Sequence, residues 1–219
     1  MKTKTKWVWA AICLTTLVAV ILGYSFSEAL LIRAGKFMAP QGTGTADVAI
    51  LEGAESAETG AVNVAINLLS SGRASCMVVV LHRLSEDRKL FALDEEYSSL
   101  VKKRLRTLGL AEKQFMVVVT PVHHPITLIE ATIVLKALSR EGAKNAFLLS
   151  NGFHTRRSFL VYQYVGRPLA INIIPLAYFN DFQLDNWWRH EEGLREFLSE
   201  LFKLVYYEIR GYIPARVDQ

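Results

Sequence analysis

Apolar residues follow two different patterns along this chain, and the change between them divides it. From Trp7 to Tyr24 there are 18 residues without a charge, interrupted only by the hydroxyls of Thr15 and Thr16. About 20 apolar residues span a bilayer, and this run with its flanks reaches that length. It is apolar on all sides, which suits lipid better than one face of a soluble core. Lys2, Lys4 and Lys6 precede it, and Arg33 and Lys36 follow at some distance. Positive residues stay on the cytoplasmic side, so residues 1–24 are expected to anchor the chain with the N-terminus inside and the rest outside. A cleaved signal peptide is the rival, with Ser25-Phe26-Ser27 as its small-residue cleavage site.

Residues 25–46 read as a juxtamembrane segment and linker. Ser25 to Phe37 mixes apolar and charged positions, and Ala39 to Ala46 is rich in Pro, Gly and Thr. From Asp47 to the end, residues 47–219, short apolar runs alternate with stretches of helical spacing. The runs are Asp47–Leu51, Cys76–Leu81, Phe115–Val119, Ala146–Leu149 and Ile171–Ile174. Between them, helices are predicted over Ser56–Ser71, Asp94–Leu108, Thr127–Arg140 and Phe153–Val165, each stopped by a following glycine. A last helix, roughly Trp187–Arg210, places Leu194, Phe197, Leu198, Leu201, Phe202 and Val205 inward. Strands that are apolar at every position are covered on both faces. The expected fold is therefore α/β, a Rossmann-like three-layer domain on a five-stranded, mainly parallel sheet, preceded by one N-terminal transmembrane helix.

Composition changes this picture in two places. The 51% apolar content is high because of the N-terminal run, and the formal charge of +4 is also an N-terminal effect. The first 24 residues hold three lysines and no acid, leaving 22 basic against 21 acidic residues in the remainder. That balance excludes a basic footprint for nucleic acid. Of the two cysteines, Cys13 lies in the expected anchor and Cys76 in a strand, so no disulfide is expected between them.

Ligands in such sheets bind beyond the carboxyl ends of the strands. The residues placed there are Glu52 and Gly53 after the first strand, and His82 and Arg83 after the second. His123 and His124 follow the third, and Ser150, Asn151 and His154 the fourth. Four of the five histidines share this edge, His190 being the exception. His154 titrates near neutral pH and is the candidate acid/base, unless it serves only the start of its helix. Arg156 and Arg157 are adjacent, so about 100° apart on a helix, and cannot face one ligand equally. Glu52 is a candidate general base or a partner for Arg83, Arg156 or Arg157. Glu130, one turn after Thr127, is a second candidate carboxylate, or the far half of a capping box with Thr127. His82, His123 or His124, and His154 are the only set that would converge on a metal, and adjacent histidines lack standard ligand spacing. No G-x-G-x-x-G, no G-x-x-x-x-G-K-[ST] and no G-x-S-x-G occurs, which excludes the usual dinucleotide, P-loop and hydrolase-elbow sites and leaves any cofactor unnamed.

The segment F-H-T-R-R-S-F at Phe153–Phe159 resembles the fourth-strand turn of the SanA/YdcF/ElyC-like proteins of bacterial envelopes. Thr127-Leu128-Ile129-Glu130-Ala131, and a tail with Trp188, Glu200, Lys203 and Tyr206-Tyr207, are similar to other segments of that family. The resemblance covers Asp47 to about Tyr212. It implies that His154 and Arg157 are the characteristic pair and that Arg156 is a variable neighbour. Glycine-rich turns common in the family are replaced here by Leu51-Glu52-Gly53-Ala54 and Leu81-His82-Arg83-Leu84-Ser85, so this would be a divergent member. It further implies a place in the bacterial inner membrane with the domain periplasmic. The implied role is in cell-envelope or surface-polysaccharide biogenesis, on a small anionic, phosphorylated or lipid-linked ligand or an envelope glycan intermediate. A non-catalytic module binding protein partners of that pathway is the alternative, and a metal-dependent hydrolase a third.

Overall fold

The computed structural model describes residue 15 and residues 27–52, 59–82 and 93–213. Its strands are β1 (Val48–Leu51), β2 (Cys76–His82), β3 (Phe115–Thr120), β4 (Asn145–Asn151) and β5 (Asn172–Tyr178). Its helices are α1 (27–38), α2 (Thr59–Ser70), α3 (Leu93–Thr107), α4 (Ile126–Arg140), α5 (His154–Gly166) and α6 (Glu191–Ile209). The five strands form one sheet in the order β3-β2-β1-β4-β5, and every pairing between them is parallel. This is the Rossmann-like α/β arrangement.

The continuous apolar runs are explained by where successive side chains go. In β1 the residues Val48 and Ile50 join one core, while Ala49 and Leu51 join the other. β2 and β4 divide in the same way, Val78, Val80, Ala146 and Leu148 against Met77, Val79, Phe147 and Leu149. α2 and α3 close the second core with Val62, Ala65, Val101 and Leu105. α4, α5 and α6 close the first with Val134, Leu135, Val161, Tyr162 and Leu204. Each fully buried Val, Leu or Ile contributes roughly 1.5–3 kcal/mol of transfer free energy, so an apolar residue is favoured at every position of these central strands.

The chain winds outward from β1 through β2 to β3, then returns to place β4 on the other side of β1. The crevice where the winding reverses, between the carboxyl ends of β1 and β4, is where sheets of this kind take ligands.

Three expectations are corrected. Ala39–Ala46 is not a free linker. Met38 and Ala39 are buried in the first core, Gly42 donates its N–H to Pro175 O at 2.7 Å, and Gln41 bridges Leu176. The segment lies along β5, an edge strand whose unpaired backbone groups need partners. Trp187 and Trp188 do not open the last helix. They form a separate 3₁₀ turn, Trp187–Arg189, with Trp187 buried and stacked on Phe197 at 4.3 Å. The inward face of α6 is also not the expected one. Phe197 and Leu201 pack on the core, but Leu194, Leu198, Phe202 and Val205 are exposed. The side turned to the sheet carries Gly193, Glu200, Leu204 and Tyr207, because Glu200 has cationic partners there that offset the cost of burying its charge.

Among the described residues no helix is long and apolar enough to cross a membrane. Apart from Thr15, the run Trp7–Tyr24 lies outside the described residues, as do Cys13, Gly53 and Arg83. Cys76 is a half-buried free thiol.

Candidate functional site

The turn from β4 into α5 must bend sharply to bring the first helical residues over the sheet edge. Gly152 makes this possible with φ of 43°. A Cβ at that position would also collide with the Glu196 carboxylate, which accepts the Phe153 N–H at 2.8 Å. Beyond the turn, His154, Arg157 and Ser158 are three and four residues apart, so one face of α5 points all three into the crevice.

Glu52, the residue after β1, is buried there. It accepts hydrogen bonds from the hydroxyls of Ser150 and Ser158. Its Oε1 lies 3.3 Å from His154 Nε2. Burial alone would raise the Glu52 pKa, but the His154 charge and these hydrogen bonds hold it below the ordinary carboxylate value. On the other side of the imidazole, His154 Nδ1 is 3.2 Å from Glu200 Oε2 on α6. Burial opposes the charged form of His154, and so does Arg157. The Glu52 charge and the hydrogen bonds to both carboxylates outweigh them and push its pKa up to about 9. Both ring nitrogens then donate to carboxylates. In the neutral form, with its proton on Nε2, Nδ1 is free to accept from Arg157 Nη2, which lies 2.7 Å away. Loss of one proton thus transfers Nδ1 from Glu200 to Arg157 with little movement.

Arg157 is buried and fully engaged. Its Nε donates to Glu200 Oε2 at 2.9 Å, Nη2 to Glu200 Oε1 at 3.3 Å and Nη1 to Thr127 Oγ1 at 2.9 Å. Its guanidinium sits 4.8 Å from the centre of the Tyr207 ring. Lys203 Nζ donates to Glu200 Oε1 at 2.8 Å, and its side chain stays half exposed. Burial would raise the Glu200 pKa, but His154 and Arg157 hold it well below the ordinary range.

A second pair forms the opposite wall. His82 Nε2, at the end of β2, is 2.6 Å from Glu130 Oε2, and Tyr162 donates its phenolic O–H to Glu130 Oε1 at 2.8 Å. Here burial prevails, helped by the nearby Glu52 charge, and the Glu130 pKa is raised despite the hydrogen bonds from His82 and Tyr162. The two pairs enclose a cleft of about 360 Å³, lined also by His124, Ile126, Lys203, Tyr206 and Tyr207. A hollow of about 410 Å³ at the opposite edge of the sheet has Asp47, whose carboxylate is occupied by the N–H groups of Lys144 and Asn145. Among the described residues that line it there is no histidine.

Of the residues singled out in the sequence, Glu52, His82, His124, Thr127, Glu130, His154 and Arg157 line this one cleft. Others lie elsewhere. Ser150 is fully buried beneath it as a donor to Glu52. Asn151 and His123 are exposed outside its lining. Arg156 points the other way, its guanidinium 4.4 Å from the centre of the Phe37 ring on α1. The α4 capping box is absent. The residue before the helix is Pro125, Thr127 accepts from Arg157, and Glu130 serves His82 and Tyr162. His154 does not cap α5, which has no side-chain cap. Glu52 pairs with His154, leaving Arg157 to Glu200. Among the described residues no group of three or more His, Cys, Asp or Glu is placed to hold a metal ion. His82 and His154 are each turned to a carboxylate on a different wall.

Glu200 is the residue that reading the strand ends missed, since it comes from the last helix. Its spacing with Lys203 and Tyr207, at i, i+3 and i+7, is the signal of one polar helix face turned inward.

No protein-family model matches the chain, and neither a curated protein nor a solved structure matches it.

Proposed function

We propose that this chain is a membrane-anchored, extracytoplasmic protein of cell-envelope or surface-polysaccharide biogenesis. In this reading it binds or processes a small anionic ligand, phosphorylated or lipid-linked, at the carboxyl edge of the sheet. The single observation that carries the reading is the His154 imidazole held between Glu52 and Glu200 at the point where the winding reverses. At neutral pH that ring is a cation. His154, Arg157 and Lys203 are three cationic side chains facing the two carboxylates Glu52 and Glu200, and burial on the opposite wall raises the Glu130 pKa, which favours its neutral form beside an anion.

His154 is then a proton or hydrogen-bond donor to the ligand, with 26% of its side chain still exposed to the cleft. Lys203 is the more mobile anion contact, because its four-carbon stem can swing from Glu200 to a ligand. A reaction would begin with transfer of the Nε2 proton to a leaving oxygen, with Glu52 stabilising the donor before transfer and the remaining proton staying on Nδ1, held by Glu200.

The alternative of a non-catalytic partner-binding module draws on a different observation. Glu52, Arg157 and Glu200 already have partners inside the protein, as purely structural groups would. Titrating inorganic pyrophosphate into the full chain in detergent micelles, with histidine rings labelled with ¹⁵N, separates the two. The proposal expects a saturable shift of the His154 resonances that weakens in Lys203→Ala. No shift, together with full restoration by His154→Gln of the envelope defect of a strain lacking the chain, favours the binding module.

A further inference from the structure

Helix α6 has two apolar sides, and the fold uses only one. At about 100° per residue, Leu194, Leu198, Phe202, Val205 and Ile209 fall within an arc of about 80°, turned away from the sheet. Phe202 is 72% exposed and Ile209 78%. Helix α1 also carries exposed apolar side chains, Leu30 and Phe37, both more than half exposed. Helix α1 is tied to the turn that precedes α6. Trp187, stacked on Phe197, donates its indole N–H to Leu31 O at 3.2 Å, and Arg189 pairs with Glu28 at 2.6 Å. Further along, Arg156 over the Phe37 ring lies within the field of Glu208. An exposed apolar stripe of five residues on one side of a helix signals a docking site.

What covers it is indicated by the position of the apolar run Trp7–Tyr24. Helix α1 is in place from residue 27, three residues beyond that run. Three residues reach at most about 10 Å. Because α1 is fixed to the domain through Trp187, Arg189 and the buried Met38, a spanning run leaves no free tether. The domain is then held close to the bilayer, and the exposed stripe of α6 is the apolar surface it has to offer there. The edge of the α6 stripe nearest the cleft has the character of a lipid interface. Tyr206 lines the cleft, and the Arg210 guanidinium lies 5.8 Å from the centre of its ring and 5.9 Å from that of Tyr212. Aromatic rings and snorkelling cations of this kind collect at headgroup level.

We propose that α6 lies in the bilayer interface on its outer apolar stripe, which sets the mouth of the cleft beside Tyr206 at the level of the lipid headgroups. The inference rests on residues 7–24 being an anchor. Its geometry is that of an interfacial helix, apolar on one side, with Arg195 flanking the stripe and Lys203 and Arg210 turned further from the lipid.

The test uses the full chain in a Cys13→Ser, Cys76→Ser background, reconstituted into vesicles of phosphatidylethanolamine and phosphatidylglycerol. A fluorescent nitrobenzoxadiazole label is attached at Ile209→Cys, at the far end of α6, or at Lys102→Cys on α3 as a control. Flotation reads the anchor, and quenching by doxyl-labelled lipids reads the docking. Docking predicts that the label at 209 loses about half its emission, as expected for a stripe seated roughly 5–10 Å into the boundary, while the label at 102 is unaffected. Co-flotation without quenching at 209 overturns the docking and leaves the anchor, as would happen if α1 stood upright from the membrane. Failure to float overturns both. Oxidative cross-linking of one 209 thiol to another, without lipid quenching, assigns the stripe to a second copy of the chain and overturns the docking.

Discussion

Glu52 and His154 stand 102 residues apart in the chain, yet their Oε1 and Nε2 atoms lie 3.3 Å apart at the carboxyl ends of β1 and β4. Each sets the charge of the other. Glu52→Gln removes the strongest influence that raises the His154 pKa, while burial and Arg157 continue to lower it. The expected result is a His154 pKa at least about one pH unit lower, because a charge within hydrogen-bonding distance is worth that much or more. Histidine NMR titration of the variant measures it. An unchanged value would mean that Glu200 alone holds the proton.

The same proton makes stability depend on pH. The His154 pKa is raised from 6.5 to about 9 on folding. Its contribution is therefore fully present below about pH 6.5 and is lost as pH rises through about 9. Glu130, also raised, acts in the same direction from its ordinary value of 4.5 upward. Glu52 and Glu200, both lowered, lose their contributions only as the medium turns acid. Stability should fall by about 3 kcal/mol between pH 6.5 and 9, since one proton held by the folded state alone is worth about 1.4 kcal/mol for each pH unit crossed. Urea unfolding across that range tests it, and His154→Asn should flatten the slope. A stability that rises with pH in this window would contradict the raised value.

How much of this was legible beforehand depended on whether the signal was local. The strands could be read because β1, β2 and β4 bury both faces and so are apolar at every position. Glu52, His82 and His154 could be placed because each directly ends a strand or opens the next helix. Arg156 and Arg157 could be separated by helical geometry alone, but which of them faces inward is decided by Glu200, 43 residues beyond Arg157. The α6 error has the same origin. Its larger apolar arc points outward, and only the cations waiting at the sheet edge select the arc with Glu200 and Tyr207. Ala39–Ala46 read as a linker because backbone pairing with an edge strand leaves no mark on side-chain pattern.

Arg157 offers a test of geometry against charge. It reaches Glu200 through two nitrogens and Thr127 through a third. Lysine keeps the charge but cannot form that fork. Arg157→Ala leaves Glu200 buried with fewer cations and should cost about 3–5 kcal/mol, the usual penalty for breaking a buried ion pair. Arg157→Lys should recover only part of this. Thermal unfolding of the two variants compares them. Equal stability of Arg157→Lys and the unsubstituted chain would show that only the charge matters.

Tyr162→Phe isolates a single hydroxyl on the other wall. The ring is fully buried, and phenylalanine fills the same space, so no cavity is created. What is lost is the O–H donated to Glu130 Oε1 at 2.8 Å. That bond favours the charged carboxylate, while burial and the Glu52 charge oppose it. Without it the Glu130 pKa rises further. A raised carboxylate pKa means that the folded state holds its proton more tightly, so the associated stability is present below 4.5 and declines as pH climbs through the folded value. In the variant that decline continues to higher pH. The loss on substitution should therefore be about 1 kcal/mol below the folded-state pKa of Glu130, where a neutral acid loses a neutral partner, and up to about 3 kcal/mol above it, where a buried carboxylate loses a donor. Urea midpoints at the two pH extremes measure the difference. An equal loss at both would mean that the hydroxyl packs against Glu130 without tuning its charge.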